Sequence, residues 1–265
     1  MKKMRIMKRA YLLNAAALLP AGILLLLPAQ TFAQAGRGGG PPATAKAAAP
    51  IDLTGYWVSL VTEDWRYRMM TPPKGDYPSI PLNPDGRKIA DNWDPLKDEA
   101  AGEQCKAYGP GNVMRNPERV HITWQDDNTL KLETDTGQQT RIFKFGTPVD
   151  LEKPATGAPT LQGESIAMWE FAGGRRGPNP RGGSLAVVTR NAKPGYLQKN
   201  GVPYSQGAIF TEHYDLFKEP DGTQYLLVTT ETVDPMYLAR RHQRSSHFRK
   251  QADAAGWDPQ PCSAR

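Results

Sequence analysis

The chain is poor in the features from which most enzyme classes are read. Among its 265 residues there are only two cysteines and four histidines. His242 and His247 stand five apart with no acidic or third histidine ligand close in sequence, so a zinc site would need distant contributions. No Gly-x-Ser-x-Gly elbow occurs, and Tyr204-Ser-Gln-Gly207 reads as a polar turn, which leaves no nucleophile in its usual hydrolase setting. A Gly-x-Gly-x-x-Gly run after a strand and a Gly-Lys-Ser/Thr loop are both missing, and with them the usual grips on dinucleotides and nucleoside triphosphates. Asp126-Asp-Asn128 lacks the spacing of a calcium loop and suits a hairpin turn. No metal is therefore expected.

A surplus of one charge is also missing from most of the chain. The total is 33 basic against 27 acidic residues, a formal +6, but Lys2, Lys3, Arg5, Lys8 and Arg9 lie in the first nine positions and no acid precedes Asp52. Beyond residue 35 the balance is 28 to 27. A nearly neutral body argues against a nucleic-acid or membrane-surface partner recruited by overall charge. The basic start, the apolar run 10–29 and the small residues Thr31, Ala33 and Ala35 form an export signal cut after Ala33 or Ala35. A retained membrane anchor is the competing reading, because the run is long enough to span a bilayer; Pro20 and Pro28 weaken it. No Arg-Arg pair precedes the run, so the chain is expected to be secreted unfolded and to reach the periplasm or the medium without a cytoplasmically loaded cofactor.

Cys105 and Cys262 then read as a disulfide in an oxidising compartment, with free thiols serving as metal ligands or a redox pair as the alternative. Closing so long a loop should stabilise the fold by about 4 to 5 kcal/mol on the chain-entropy account.

Three segments follow: a signal over 1–33, a Gly/Pro/Ala tether over 34–50 that cannot bury a core, and a folded domain over 51–265. Within the domain, period-two alternation marks strands at 53–61, 165–171, 184–190 and 245–250, and a meander through Val120, Ile122, Trp124, Leu130, Leu132, Arg141, Phe143 and Phe145. The best hairpin joins 208–218 to 223–233 through Glu219-Pro-Asp-Gly222. Asn83-Pro84 and Asp94-Pro95 predict short helices over 84–92 and 95–102. The Gly- and Pro-rich stretches 146–163, 172–183 and 191–207 read as long loops. Arg175, Arg176 and Arg181 make the middle one a mobile loop able to meet an anionic ligand. Together these predict an all-β fold, a single antiparallel barrel of about eight or nine strands with long loops and one or two short helices.

Gly55-Tyr-Trp57 resembles the Gly-x-Trp signature of lipocalins, barrels that hold small apolar ligands. Asp52-Leu-Thr-Gly-Tyr-Trp57, Glu103-Gln-Cys105, Arg119-Val-His-Ile-Thr-Trp-Gln-Asp-Asp127, Pro194-Gly-Tyr-Leu197, Asn200-Gly-Val-Pro-Tyr-Ser205 and Thr211-Glu-His-Tyr-Asp215 resemble a family of exported Gram-negative bacterial proteins of unassigned activity. That resemblance implies export and a β-rich barrel, and it carries no catalytic residue.

Strand parity supplies the candidate site. Glu212 shares a face with Ala208, Phe210, Tyr214 and Leu216, while His213 and Asp215 face the other way. An inward carboxylate needs a partner, and Arg141, in phase with Phe143 and Phe145, is the natural one. The pair either anchors a ligand's polar end or is a structural ion pair packed on Trp57. His121 and His213 lie opposite their apolar stripes and should face solvent. Trp65-Arg-Tyr-Arg-Met-Met70 reads as a strand end opening into a rim loop whose Trp and Met would close over a ligand.

The favoured function is binding of a small apolar or aromatic molecule in a barrel cavity lined by Trp57, Trp124, Arg141, Phe143, Trp169 and Phe210. One alternative is a barrel isomerase, lyase or hydrolase with Glu212 as general acid or base and Tyr214 or Tyr204 as donor. Another is an envelope structural protein with a filled barrel and an exposed apolar patch.

Overall fold

The computed structural model describes residues 43–62, 64–172 and 182–265; the segment expected to be an export signal and most of the arginine-glycine loop lie outside them. Eleven strands form: β1 (Gly55–Leu60), β2 (Arg119–Asp126), β3 (Thr129–Thr134), β4 (Thr140–Phe145), β5 (Glu164–Phe171), β6 (Gly183–Arg190), β7 (Gly195–Gln198), β8 (Val202–Tyr204), β9 (Ile209–Lys218), β10 (Gln224–Val233) and β11 (His242–Gln251). Nine of them close a barrel in the order β1-β11-β10-β9-β6-β5-β4-β3-β2, and β7 pairs with β8 apart from it. The expected all-β single barrel is present.

Nine is odd, so strands alternating up and down around a closed ring must leave one parallel pair. That pair is β4 and β5, joined through Phe143 with Ser165 and Phe145 with Ala167. A parallel connection must return to its starting end, which is what 146–163 does. This segment was expected to be plain loop but carries a one-turn helix, α4 (Pro148–Glu152), closed by a reciprocal cap between Thr147 and Asp150.

The other helices are α1 (Trp65–Arg68), α2 (Pro84–Asp91) and α3 (Pro95–Ala100). For α2 and α3 the proline-capped signals held: Asn83 accepts from the Gly86 amide at 2.8 Å and Asp94 from the Leu96 amide at 3.1 Å. Two predictions need correction. The 65–70 stretch is a helical turn, not a strand end, because left-handed Asp64 turns the chain before it. The 191–207 loop contains the β7-β8 hairpin, whose residues Leu197, Val202 and Tyr204 are buried.

Three connections, 61–118, 191–208 and 234–241, leave the same end of the barrel and fold into a cap with its own apolar cluster of Tyr77, Ile80, Ala90, Leu197, Val202, Tyr204, Phe210 and Leu238. Gly86 lets α2 approach the 234–241 turn: a Cβ there would lie 2.3 Å from the Tyr237 carbonyl oxygen. The C-terminal tail runs back along the wall, Trp257 edge-on to stacked Tyr56 and His121, and reaches the cap where Gln260 bridges Thr136. There the predicted Cys105–Cys262 disulfide fastens it. At the other end, residues 43–50 are not the free tether expected. The Ala45 amide donates to Asn128, the Lys46 amide to the Asp127 carbonyl, and the Ala45 carbonyl accepts from the Trp169 indole at 2.8 Å. Among the described residues no helix is long and apolar enough to cross a membrane.

Candidate functional site

Inward-facing residues follow the strands in three successive kinds. The middle is apolar and filled: Trp57, Val120, Ile122, Leu130, Leu132, Phe143, Leu185, Val187, Leu226, Val228 and Phe248 are all buried. At the ends remote from the cap, Trp124, Phe145 and Trp169 meet ring to ring, with centroids 5.2 to 6.4 Å apart, and are only partly buried. At the capped ends the inward positions turn polar: Arg141, Ser165, Thr189, Glu212, Thr230, Thr232, His242, Arg244 and Ser246.

Glu212 points inward and grips Arg141 through two bonds, Nη1 to Oε1 at 2.8 Å and Nη2 to Oε2 at 2.5 Å, with both side chains wholly out of solvent. Tyr214 donates to Glu212 Oε1 at 3.2 Å, and Thr189 accepts from Arg141 at 3.3 Å while sharing a 2.7 Å bond with Ser165. Burial works against the Arg141 charge, but the adjoining Glu212 carboxylate outweighs it and holds Arg141 in its charged form, and burial pushes the Tyr214 phenol well above its usual range. The cation over the Trp57 ring is not this pair but Lys250, 4.4 Å from the centroid, whose ammonium also donates to the Thr54 carbonyl.

Tyr204 lies apart, T-shaped on Phe210 in the cap cluster, with its hydroxyl buried, unbonded and pushed up by burial. A Cβ on Gly109 would lie 2.0 Å from that hydroxyl, so bare backbone encloses it. Of the predicted residues, the structure thus brings together Arg141, Glu212 and Tyr214 at the capped end, and Trp124 and Trp169 at the other. Trp57 and Phe143 belong to the filled middle and Phe210 to the cap. Of the two histidines expected at the surface, His213 faces outward against Glu170 at 3.1 Å, and His121 is half-buried under Tyr56.

Glu118, missed by sequence reasoning, is the most perturbed acid. Neither of its oxygens has a hydrogen-bond partner among the described residues, and burial, reinforced by nearby Asp135, pushes its carboxyl well above the usual range. His242 and Arg244 were missed because the last strand begins three residues before its predicted start, in the polar run His-Gln-Arg-Ser-Ser-His. Burial, with help from Arg244 and Arg115, pushes His242 down to about 3.

Three cavities accompany these features. A cleft of about 690 Å³ on the uncapped rim is lined by Phe145, Pro148, Met168, Trp169, Phe171 and the 43–48 segment. A groove of about 650 Å³ follows the parallel seam, with Ile142, Lys144, Ser165, Ile166 and Arg190 along it. A cavity of about 10 Å³ lies beneath the cap against Thr230, Thr232, His242, Arg244 and Ser246.

Fold and site define a closed nine-stranded barrel with one filled waist, one capped polar end and one open aromatic rim, an architecture compatible with ligand binding. The chain matches no protein-family model, no curated protein and no solved structure.

Proposed function

We propose that this is an exported binding protein for a small, largely apolar, aromatic molecule, and that the ligand sits at the open rim against Phe145 and Trp169. The observation carrying this reading is the Trp124, Phe145 and Trp169 cluster. Partly buried aromatic rings that meet beside a cleft of about 690 Å³ suit a small ligand in size and chemistry, whereas the waist is already filled by the protein's own side chains. The disulfide supports an oxidising destination. Glu212 gives the acid–base alternative little support, because both its oxygens are taken by Arg141.

One observation favours a second reading, an envelope protein that docks a partner. Trp65, Met69 and Met70 are 60, 58 and 65 % exposed on the turn at the cap. A single titration separates the two. With the neutral fluorophore N-phenyl-1-naphthylamine, the rim reading expects saturable uptake that weakens about tenfold in Trp169→Ala, the loss of one aromatic contact and its buried area. Uptake abolished by Trp65→Ser with Met69→Ser and Met70→Ser, but indifferent to Trp169→Ala, would move the site to the cap. No uptake by the folded protein would remove the small-molecule reading.

A further inference from the structure

At the capped end the inward Arg244 has no acidic hydrogen-bond partner among the described residues. Among the inward or buried cations there, Arg141 has Glu212 and Arg115 has Asp64 at 3.0 Å. Of the other buried acids, Asp98 bonds Lys106 and Tyr196, Asp135 accepts from the Arg119 and Thr136 amides, and Asp234 accepts from Ser205, while burial pushes the Glu118 carboxyl up. Among the described residues Arg244 on β11 has a single hydrogen-bond partner, the Gln198 side-chain oxygen at 3.2 Å from Nη2; its Nε and Nη1 are shut off from solvent and meet no acceptor there. His242, two residues earlier on the same inward face, likewise leaves Nε2 buried and unbonded. A guanidinium cannot shed its charge as a lysine can, so burying two of its donors without an acceptor is costly unless something else supplies one.

The surroundings show what that partner would be. The cavity of about 10 Å³ touching Arg244 and His242 is also lined by Thr230, Thr232, Ser246 and Arg115. These are donors around a cationic centre, and none of the lining residues is acidic. A space of this size takes one water-sized particle. A cation is excluded by the two arginines, and a neutral apolar group by the unbonded donors.

We propose that this cavity is a small-anion site, in which Arg244, with the Thr230, Thr232 and Ser246 hydroxyls, holds a halide or a single carboxylate oxygen. The anion supplies the acceptor that Arg244 Nε and Nη1 lack. The site is at the opposite end of the barrel from the aromatic rim, so it stands or falls independently of the apolar ligand. Its position also gives it a structural consequence: Met114, Pro110 and Gly111 of the cap and Thr230, Thr232 and Ser246 of the barrel face one anion, which would tie the cap to the strands.

The test uses the intact oxidised protein at constant ionic strength, with gluconate, too large for the cavity, as the reference anion. Chloride, bromide, formate and acetate are compared by thermal unfolding, and crystals are soaked in bromide. The expected result is a bromide anomalous peak within hydrogen-bonding reach of Arg244, and a midpoint raised by about 5 to 10 °C when the anion is near a hundred times its dissociation constant. Bromide and chloride alone raising the midpoint identifies a halide site; formate or acetate doing so identifies a carboxylate site. Both effects should vanish in Arg244→Gln. If that variant does not fold, Thr230→Val removes one lining hydroxyl and should weaken the shift several-fold. Water alone in the cavity at saturating bromide, or equal midpoints in all five anions, overturns the proposal.

Discussion

Replacing Glu212 with Gln should be among the most damaging single-atom exchanges in the barrel. The exchange keeps the shape of the side chain and removes its charge, leaving Arg141 charged inside a space with no exposed surface on either partner. Arg141 cannot neutralise itself in response. The 2.5 Å and 2.8 Å bonds become at best one amide-oxygen contact, and Tyr214 loses a charged acceptor. Breaking a buried pair from one side typically costs about 3 to 5 kcal/mol. In a domain of this length that is a fall of about 6 to 20 °C in the unfolding midpoint. It is also a large part of the 5 to 15 kcal/mol or so on which most domains depend.

The same reasoning makes a second demand. Removing both charges, as Arg141→Met with Glu212→Leu, spares the protein the desolvation of two ions, so the double variant should recover most of the loss and lie within about 2 kcal/mol of the parent. Urea unfolding of the oxidised protein, followed by tryptophan emission, measures all four corners of the cycle. A Glu212→Gln loss below about 1 kcal/mol would mean that the pair is not the fixed, dry contact seen here. A double variant as unstable as the sum of its singles would mean that the polar end needs charge for some reason other than pairing. Either result refutes the electrostatic account given above.

Three further outcomes can be measured on the same samples. Because His242 is held near 3, below its unfolded value near 6.5, the unfolded chain binds the extra proton between those limits; stability should therefore rise with pH from about 3 to 6.5 and be flat above, and His242→Gln should remove a contribution of about 5 kcal/mol at most from that slope. Glu118 has the opposite sign, since its folded pKa is raised: stability is fully present below the unfolded value near 4.5 and falls as pH climbs toward the folded one, so Glu118→Gln should match the parent at pH 4 and exceed it at pH 8 in urea titrations. Reducing the Cys105–Cys262 bond, which spans 157 residues, should lower stability by about 5 kcal/mol on the entropy account and free the tail, read as a change in Trp257 emission as its contact with Tyr56 and His121 is lost; an unchanged midpoint with a mobile tail would show that the body folds without that tie.

Much of the barrel was legible because its strands obey a period of two. Glu212 could be placed inside, and matched to Arg141, from parity alone, because Phe210, Tyr214, Phe143 and Phe145 fix the inner face on either side of each. The helix starts at Asn83 and Asp94 were legible for a similarly local reason, a capping side chain directly before proline. What parity does not encode is which strand lies beside which. The parallel β4-β5 seam follows from closing an odd ring, a global condition with no residue that announces it, and the return segment 146–163 therefore read as loop.

The polar end was illegible for a related reason. An inward strand position is recognised when it is apolar, and β11 opens with inward His242, Arg244 and Ser246, so its first half looked like an exposed edge and the strand was begun late. Those residues point inward because Leu226, Val228 and Phe248 farther along the same strands set the phase, and burial came to them from a cap more than a hundred residues away in sequence. A local pattern cannot report burial imposed by a distant segment. The same separation explains the chemistry left at that end. The waist, filled by residues that chose it for their hydrophobicity, has no unmet bonding. The capped end is closed over residues whose partners had to arrive from other elements: Glu212 reached Arg141, Gln198 reached one nitrogen of Arg244, and the remaining donors of Arg244 and the oxygens of Glu118 were left without a partner among the described residues. Unmet donors around a cation, kept where cap and barrel meet, are what a bound anion would require, and a solid hydrophobic plug would have been the simpler way to close the same end.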